Sequence, residues 1–544
     1  MSFNLADLFE LVADAVPERL ALVAGDKRLT FKELEERATR LGNYFLLRGI
    51  KAGDKIGIYS LNRAEWIEAM LAAFKIRAVP ININFRYVED ELLYVFDNAD
   101  LVALVFERQF SPLLINIKNK LPMLKHYLVL EDGADQDYAA LCAHPYEKCL
   151  SESTSNRCFE TRSNDDIYML YTGGTTGLPK GTVWHHEDIF FGALQGGNPG
   201  GEPFTSESSL VEKVKAGAGA TTVAPAPMMH GGGEWTSLMT MLSGATYILY
   251  CGKHFDADKL CQLMAYEKAM VVLVVGDAMA RPIADFLAAN PGKYDLTNLF
   301  VLSSGGAILS KSIKQQLKTL LPNSMILDSF GASETGHNGT VLEDKEGRDG
   351  PCFVLGPHTK ILDETTLEPV APGSDKAGLL ARSGHIPQGY YKDEIKTAAT
   401  FKTDQHGNRW VIPGDWARVE TDGTARLLGR GSGCINSGGE KIYPEEVESA
   451  LKAHPEIFDV AVVGVPCARF TNKVAAVIQL RELPLRGDRS PSLGELAEFC
   501  AQSLARYKLP REVIVVNEVP RTPAGKPDYR KVKEIVMSYL NIND

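Results

Sequence analysis

Several familiar signatures are missing from this 544-residue sequence, and each absence removes a class of function. Cysteine is sparse and unpatterned: nine residues, no CxxC and no Cys/His cluster. That excludes a zinc module and argues for reduced thiols in a cytoplasmic protein over a disulfide framework. Basic residues are in deficit, with 58 Lys and Arg against 69 Asp and Glu, a net charge of −11 and a pI near 5.6. This is not the balance of a nucleic-acid-binding surface. No apolar run approaches the ~18 residues of a spanning helix, so no transmembrane segment is expected. The N-terminal MSFNLADLFELVADAVPE lacks a basic start, and Asp7, Glu10 and Asp14 interrupt its apolar positions. It reads as an amphipathic helix on Leu5, Leu8, Phe9, Val12 and Val16, not as a signal peptide. There is no fixed-period repeat and no low-complexity tract.

What remains is an ordinary globular balance, 45% apolar and 23% charged, long enough for a sizeable core and about three or four folding units. Strand-like runs alternate with helical patterns: KIGIYS (55–60) then RAEWIEAMLAAFK (63–75), LVALVF (101–106), DIYMLYTGG (166–174), MVVLVVG (270–276), LFVLSSGG (299–306) and SMILDSFGASETG (324–336). Such alternation predicts layered α/β structure, and polar residues at the C-terminal ends of several strands predict one shared ligand crevice. ALQGGNPGGEPF (193–204) reads as a surface loop, and WHHEDI (184–189) as polar loop and helix cap, not metal. After about residue 430 the texture changes to a compact α+β unit. Helices are expected over 443–455, 492–508 and 528–540, with VAVVGVP and KVAAVIQL as paired strands and EVIVV (512–516) as another. The expected architecture is a large N-terminal layered α/β domain (1–429) and a small mobile α+β C-terminal domain (430–544).

One stretch looks made for phosphate: YTGGTTGLPKG (171–181). A Walker A loop needs G-x-x-x-x-G-K-[ST]. Here Lys180 is preceded by Pro179 and followed by Gly181, so that reading fails at both flanks. The ingredients persist nonetheless: Gly173, Gly174 and Gly177 permit tight turns, Thr172, Thr175 and Thr176 offer hydroxyls, and Lys180 offers charge. The segment resembles the phosphate loop of the adenylate-forming superfamily, which includes acyl-CoA synthetases, amino-acid adenylation domains and beetle-luciferase-like enzymes. SFGASETG (329–336), GYY (389–391), PGDW (413–416), GRGSGCINSGGEKIYPEEVE (429–448) and RTPAGKP (521–527) follow in the superfamily's order. With LTFKELEERATRLGNYF (29–45), the resemblance covers essentially the whole chain.

The resemblance implies a two-step reaction: a carboxylate attacks the α-phosphate of ATP, and a thiol then expels AMP. Positioning and charge neutralisation carry such chemistry. The loop Thr172, Gly173, Gly174, Thr175, Thr176, Gly177 and Lys180 would hold the departing pyrophosphate. Gly173 stands where the superfamily usually has serine. Glu334 and Thr175 would associate with Mg2+, and Ser333, in place of the usual threonine, would face the α-phosphate. Gly306 and Ala307, in SGGA (304–307), with Asp328, Ser329, Phe330 and Gly331, match the adenine segments. Phe330 stacks on the base or simply packs. Asp415 would take the ribose hydroxyls and Arg430 the ribose and phosphate. Lys526 matches the catalytic lysine of adenylation, carried by the small domain. The hinge falls in 429–442, with Ser432 replacing the usual acid or lysine, and Gly438, Gly439 and Lys441 would admit CoA.

His230 matches the superfamily's gate at the substrate carboxylate. In PMMHGGGEWTS (227–237), glycines stand where amino-acid adenylation domains carry an amine-binding aspartate, although Glu234 could substitute. Gly231, Gly232 and Gly233 either open the acyl pocket or form a bulge of no consequence for size. VWHHEDIFFGALQGGNPGG, taken with INSGGEKIYPEEVE, is similar to acyl-CoA synthetases of fatty acids and steroid side chains. The expected activity is therefore an ATP-, Mg2+- and CoA-dependent synthetase of a hydrophobic carboxylic acid. An acyl-AMP ligase loading a separate carrier protein, or a ligase of small or aromatic acids, stays open. Many members are dimers, but no segment here reads as an interface.

Overall fold

The computed structural model describes all residues except 1, 173–177, 218, 308, 342–351, 434, 438–439, 468–470, 482–489, 503, 505, 523–525 and 541–544; for 430, 432, 436, 440, 441 and 471 it describes the backbone alone. The predicted mixed α/β architecture is present, in a large N-terminal body and a smaller C-terminal one.

A large mixed sheet and a smaller all-parallel one build most of the large body. In the first, Leu20–Ala24, Tyr247–Leu249, Thr222–Ala224, Val271–Val274, Val301–Ser304 and Met325–Ala332 lie side by side. From Gly336–Val341 onward the sheet turns antiparallel and runs on through Ala425–Arg430 and Asp415–Val419. The second sheet is all parallel and five-stranded, ordered Val79–Asn82, Lys55–Tyr59, Leu101–Glu107, His126–Leu130, His144–Pro145. A third, three-stranded sheet joins Ile167–Thr172, Lys180–His185 and Gly389–Tyr390.

The helix Ala64–Lys75 is buried on every side, Glu68 and Lys75 included. A helix without a solvated face belongs in the core, and its charges survive there only in pairs. Arg37 Nε meets Glu68 Oε1 at 2.7 Å, and Lys75 Nζ meets Glu35 and Glu10 at 2.5 and 2.6 Å. The N-terminal periodicity forms the helix Leu5–Ala15, capped by Asn4, whose side chain accepts from Ala6 N at 3.0 Å.

In the small body, Ile457–Cys467 and Thr471–Leu480 pair antiparallel along their length, and Glu512–Val516 joins the latter in parallel. The helices Pro444–Lys452 and Tyr529–Tyr539 flank them. Three details depart from expectation. The helix expected over 492–508 spans only Leu493–Cys500. Leu504 and Leu509 still pack on the small core, so the apolar spacing outlasts the regular helix. Within 193–204 only the tip is exposed: Gly196 and Gly197 are buried against Pro203, Phe190 and Phe204. His186 is no polar loop residue. It is buried, its Nδ1 accepts Leu5 N at 3.1 Å, and burial pushes its pKa down to about 4. The eight described cysteines are free.

Candidate active site

The C-terminal ends of the parallel strands are aligned by register. Val274, Ser304 and Asp328 stand side by side on neighbouring strands. Ser304 Oγ accepts from Gly276 N at 3.1 Å, which ties the strand end to the start of the helix Gly276–Ala289. A side chain at Gly305 would meet Ser329 O at 3.6 Å, so the segments 304–307 and 328–331 adjoin. Gly306 is exposed, at φ +78°. Phe330 is half-buried and its ring lies 5.6 Å from that of Phe353, leaning on the cluster around Leu380 and Ala417. Part of that ring is thus committed to packing.

Ser333 and Glu334 occupy the turn between Met325–Ala332 and Gly336–Val341. The turn is cemented from below. Thr335 Oγ1 accepts from Ala332 N at 3.1 Å and from Asn338 Nδ2 at 2.8 Å, and Trp184 Nε1 donates to Ser333 O at 3.0 Å. Gly336 sits at φ +67°, and a Cβ there would lie 2.4 Å from Gly192 O, so this motif position admits only glycine.

Glu334 Oε1 accepts the Tyr390 hydroxyl at 2.9 Å. Lys180 Nζ lies 5.6 Å from the centre of the same tyrosine ring and 2.7 Å from Asp393 Oδ2. The hydrogen bond from Lys180 holds the Asp393 carboxyl below its usual range. Tyr390 and Asp393 thereby join two motifs distant in sequence. In the sequence GYY gives no hint of a task for Tyr390, and Asp393 carries no signal beyond its nearness to that motif. Thr172 pairs with Lys180 across the hairpin that the phosphate loop closes. Gly173, Gly174, Thr175, Thr176 and Gly177 lie outside the described residues.

Asp415 is buried and pairs across strands with Arg430, so the two expected ribose-side residues are neighbours. Of the CoA-side positions, Gly438, Gly439 and the Lys441 side chain fall outside the described residues, as does the Arg430 side chain. Lys526 is exposed on the small body, with its carbonyl accepting Thr522 N at 2.7 Å. Its charge reaches His230 in the large body. Burial pushes the His230 imidazole down to about pKa 4, and the nearby charges of Lys526 and Arg86 push the same way. His230 is neutral at pH 7, and its buried Nε2 has no hydrogen-bond partner among the described residues.

His230 caps the helix Gly231–Leu242, whose first turn is the glycine tract. The three glycines differ. Gly233 touches the Pro227 backbone, where a Cβ would stand 2.6 Å from the carbonyl oxygen. Gly231 backs onto Leu170 and the Trp235 indole. Only Gly232 faces open space. Beyond them Glu234 is buried. Its Oε2 accepts the Tyr168 hydroxyl at 2.6 Å, and Tyr168 in turn accepts Trp235 Nε1 at 3.1 Å. Burial pushes Glu234 up to about pKa 8. A neutral carboxyl held by a core tyrosine does not supply the anion that a substrate ammonium needs, which removes the case for Glu234 as an amine anchor. Nothing in the sequence distinguished this core carboxyl from a pocket one. Trp235 and Tyr168 carry no signal of this role in the sequence, though both lie inside the quoted stretches 227–237 and 166–174.

A family model described as "AMP-binding enzyme" matches residues 9–391, and one described as "AMP-binding enzyme C-terminal domain" matches 446–526. The chain is 47% identical to a 3-oxocholest-4-en-26-oate–CoA ligase of Rhodococcus rhodochrous, covering 98% of this chain and 96% of that one. It is 46% identical, at the same coverages, to a medium/long-chain-fatty-acid–CoA/3-oxocholest-4-en-26-oate–CoA ligase of Mycobacterium tuberculosis. With a medium-chain acyl-CoA ligase of Mycobacterium avium the identity is 37%, over 98% of both chains. The fold matches the crystal structure of an anthranilate CoA ligase in complex with anthranoyl-AMP at a TM-score of 0.83 and 23% identity, covering 99% and 98%. It matches ATP-bound MatB from Rhodopseudomonas palustris at 0.80 and 22%, covering 99% and 100%.

Proposed function

The chain belongs to the AMP-binding enzyme family and is an AMP-forming acyl-CoA ligase, and on that premise we propose that its acid is a long-chain or bulky polycyclic hydrophobic carboxylate. The relatives at 46–47% identity are named for such acids. In the first half-reaction a carboxylate oxygen bonds to the α-phosphorus of ATP while the bond to the bridging oxygen breaks and pyrophosphate leaves. In the second, the sulfur of CoA bonds to the acyl carbon, AMP leaves, and the thiol proton passes to solvent.

The observation that carries this reading is the 46–47% identity, over nearly the whole chain, to ligases named for such acids, beside the open space at Gly232. In our reading, Lys526 stabilises charge developing at the α-phosphate. His230, neutral and next to the helix start at Gly231, receives the acid carboxylate, which the helix N-terminus favours. Asp415 and Arg430 take the ribose, and 304–307 with 328–331 enclose the adenine. Lys180 and the hairpin loop after Thr172 hold the outgoing pyrophosphate, for which Lys180 must exchange Asp393 for phosphate oxygen. Gly438, Gly439 and Lys441 serve CoA.

Glu334 is the described carboxylate for Mg2+. Its oxygens, with the adjoining Ser333 hydroxyl and substrate phosphate, are the hard donors that this ion takes, usually through one or two carboxylates and several waters. When bound, Mg2+ would neutralise phosphate charge. Tyr390, with Lys180 near its ring, orients the Glu334 carboxylate through its hydroxyl. Gly232 is the open point of the glycine tract and the side from which a bulky acyl group gains room.

The test is pyrophosphate release and thioester mass over a panel of acetate, benzoate, medium- and long-chain fatty acids and a sterol side-chain acid, with and without CoA. The expected result is CoA-dependent thioester, fastest with the long or polycyclic acids. Faster turnover of acetate or benzoate would overturn the acid assignment.

A further inference from the structure

We infer that Asp277 and Lys452 are positioning residues for adenylate formation: a buried ion pair across the two bodies that ties the adenine-side segment 304–310 to the loop bearing Lys526. The inference rests on the role proposed above for Lys526.

The chain of contacts starts at the helix Gly276–Ala289. Its first residue donates to Ser304 Oγ, and its second, Asp277, accepts Ser310 N through Oδ1 at 2.8 Å. The helix start is thus stitched to both ends of the 304–310 segment. Asp277 Oδ2 has no hydrogen-bond partner among the described residues. It faces Lys452 Nζ at 3.7 Å and Arg281 Nη2 at 3.8 Å.

Lys452 ends the helix Pro444–Lys452 of the small body, and its ammonium also lies 3.6 Å from Asp459 Oδ1. Asp459 accepts Arg521 Nε at 2.8 Å and Nη2 at 2.6 Å. Arg521 forms a backbone bridge with Pro527, and Thr522 N holds the carbonyl of Lys526. From Ser310 to Lys526 the path therefore passes through Asp277, Lys452, Asp459 and Arg521, with alternating charge. Arg281, set over the Phe458 ring at 5.6 Å, and the Arg481–Asp285 pair at 3.6 Å flank it.

Burial and looseness together give the pair its meaning. Asp277, Arg281 and Lys452 are 6%, 2% and 7% exposed, yet neither cation reaches hydrogen-bonding distance of Asp277 Oδ2. A buried pair of that geometry adds little to stability, because desolvation offsets its attraction. It is suited instead to selecting one arrangement of the bodies. On the roles proposed above, Lys526 serves the first step and the small body presents a different segment in the second, so the small body turns between steps and the pair parts. The contact therefore favours adenylate formation and is neutral to, or slightly against, the second step.

The test separates the half-reactions in the full-length enzyme. Pyrophosphate exchange with a long-chain fatty acid reads the first, and thioester formation from the preformed acyl adenylate reads the second. Lys452→Met and Asp277→Asn, which retains an oxygen for Ser310 N, are each expected to slow exchange about tenfold and leave the second step within about twofold. The double variant is expected to be no slower than either single one, and Lys452→Arg to restore most of the rate. The second half-reaction doubles as the folding control. Equal losses in both steps, no loss in exchange, or additive losses in the double variant would overturn the inference. A wild type that forms adenylate only from small or aromatic acids would instead count against the acid assignment, and leaves this pair to be scored with those acids.

Discussion

Replacing Glu234 by Gln should make the enzyme more stable relative to wild type as pH rises. The folded carboxyl ionises near 8, against an ordinary value of 4.5, because burial disfavours the anion by more than the Tyr168 hydrogen bond favours it. The sign follows from proton counting. Between those values the unfolded chain has released the proton and the folded chain has kept it. Folding then binds a proton, so stability falls as pH rises through the window and levels off above the folded value. At 1.36 kcal/mol per pH unit, the wild-type penalty is about 1 kcal/mol at pH 5, about 3 at pH 7 and at most about 5 at pH 9. Gln keeps an oxygen for the Tyr168 hydroxyl and has no proton to hold, so its own structural cost is constant with pH. The gap between variant and wild type should therefore move in favour of Gln by about 2 kcal/mol from pH 5 to 7. For a body of this size that is a few degrees in melting temperature. Paired thermal melts at matched ionic strength from pH 5 to 9 read the gap. Infrared difference spectra should show a protonated-carboxyl band lost in the variant. A gap constant over that range, with no such band, would refute a neutral Glu234.

Lys526→Ala should lower pyrophosphate exchange by about a hundredfold or more, the scale of removing one preorganised charge at a transition state. Thioester formation from preformed adenylate should be much less affected, and equal loss in both half-reactions would sink the assignment. Tyr390→Phe removes the hydroxyl that orients Glu334 and leaves the ring beside Lys180. We expect the KM for ATP to rise about tenfold or more, as for one lost hydrogen bond to a charged group, with the KM for the acid unchanged. Initial-rate kinetics at saturating CoA decide it, and an unchanged KM for ATP would remove Tyr390 from the nucleotide site.

Much of the molecule was legible because its signals are local. KIGIYS, MVVLVVG and LFVLSSGG are apolar runs bounded by polar turns, and they form strands close to their expected limits. The paired strands and flanking helices of the small body followed from the same spacing. The motif order pointed to the family that the profile matches bear out. What stayed hidden depends on who meets whom. His186 reads as polar, and only the folded chain brings Leu5 N to its ring. Glu234 reads as a charge, and only burial makes it neutral. Lys180 reads as a phosphate ligand, and only the approach of 389–393 reveals its partners Asp393 and Tyr390. Lys452 sits on an unremarkable amphipathic helix, and its partner Asp277 lies 175 positions earlier in the chain. Periodicity reports which face of an element is covered, not which residue covers it.

The strand Leu20–Ala24 has a consequence for how the molecule is made. One neighbour, Lys27–Thr30, follows at once, but the other is Tyr247–Leu249, paired in parallel roughly 225 residues downstream. On a ribosome adding about 5–20 residues per second, that strand edge waits tens of seconds for its partner. The five-stranded sheet closes within residues 55–145 and needs nothing from the rest of the chain for its hydrogen-bonded ladder. Synthesis therefore delivers one sheet early and leaves the larger one open at an apolar edge. Long-range parallel pairing of this kind is slow and prone to association. Recombinant yield should respond to translation rate and chaperone supply more than to the stability of the finished protein.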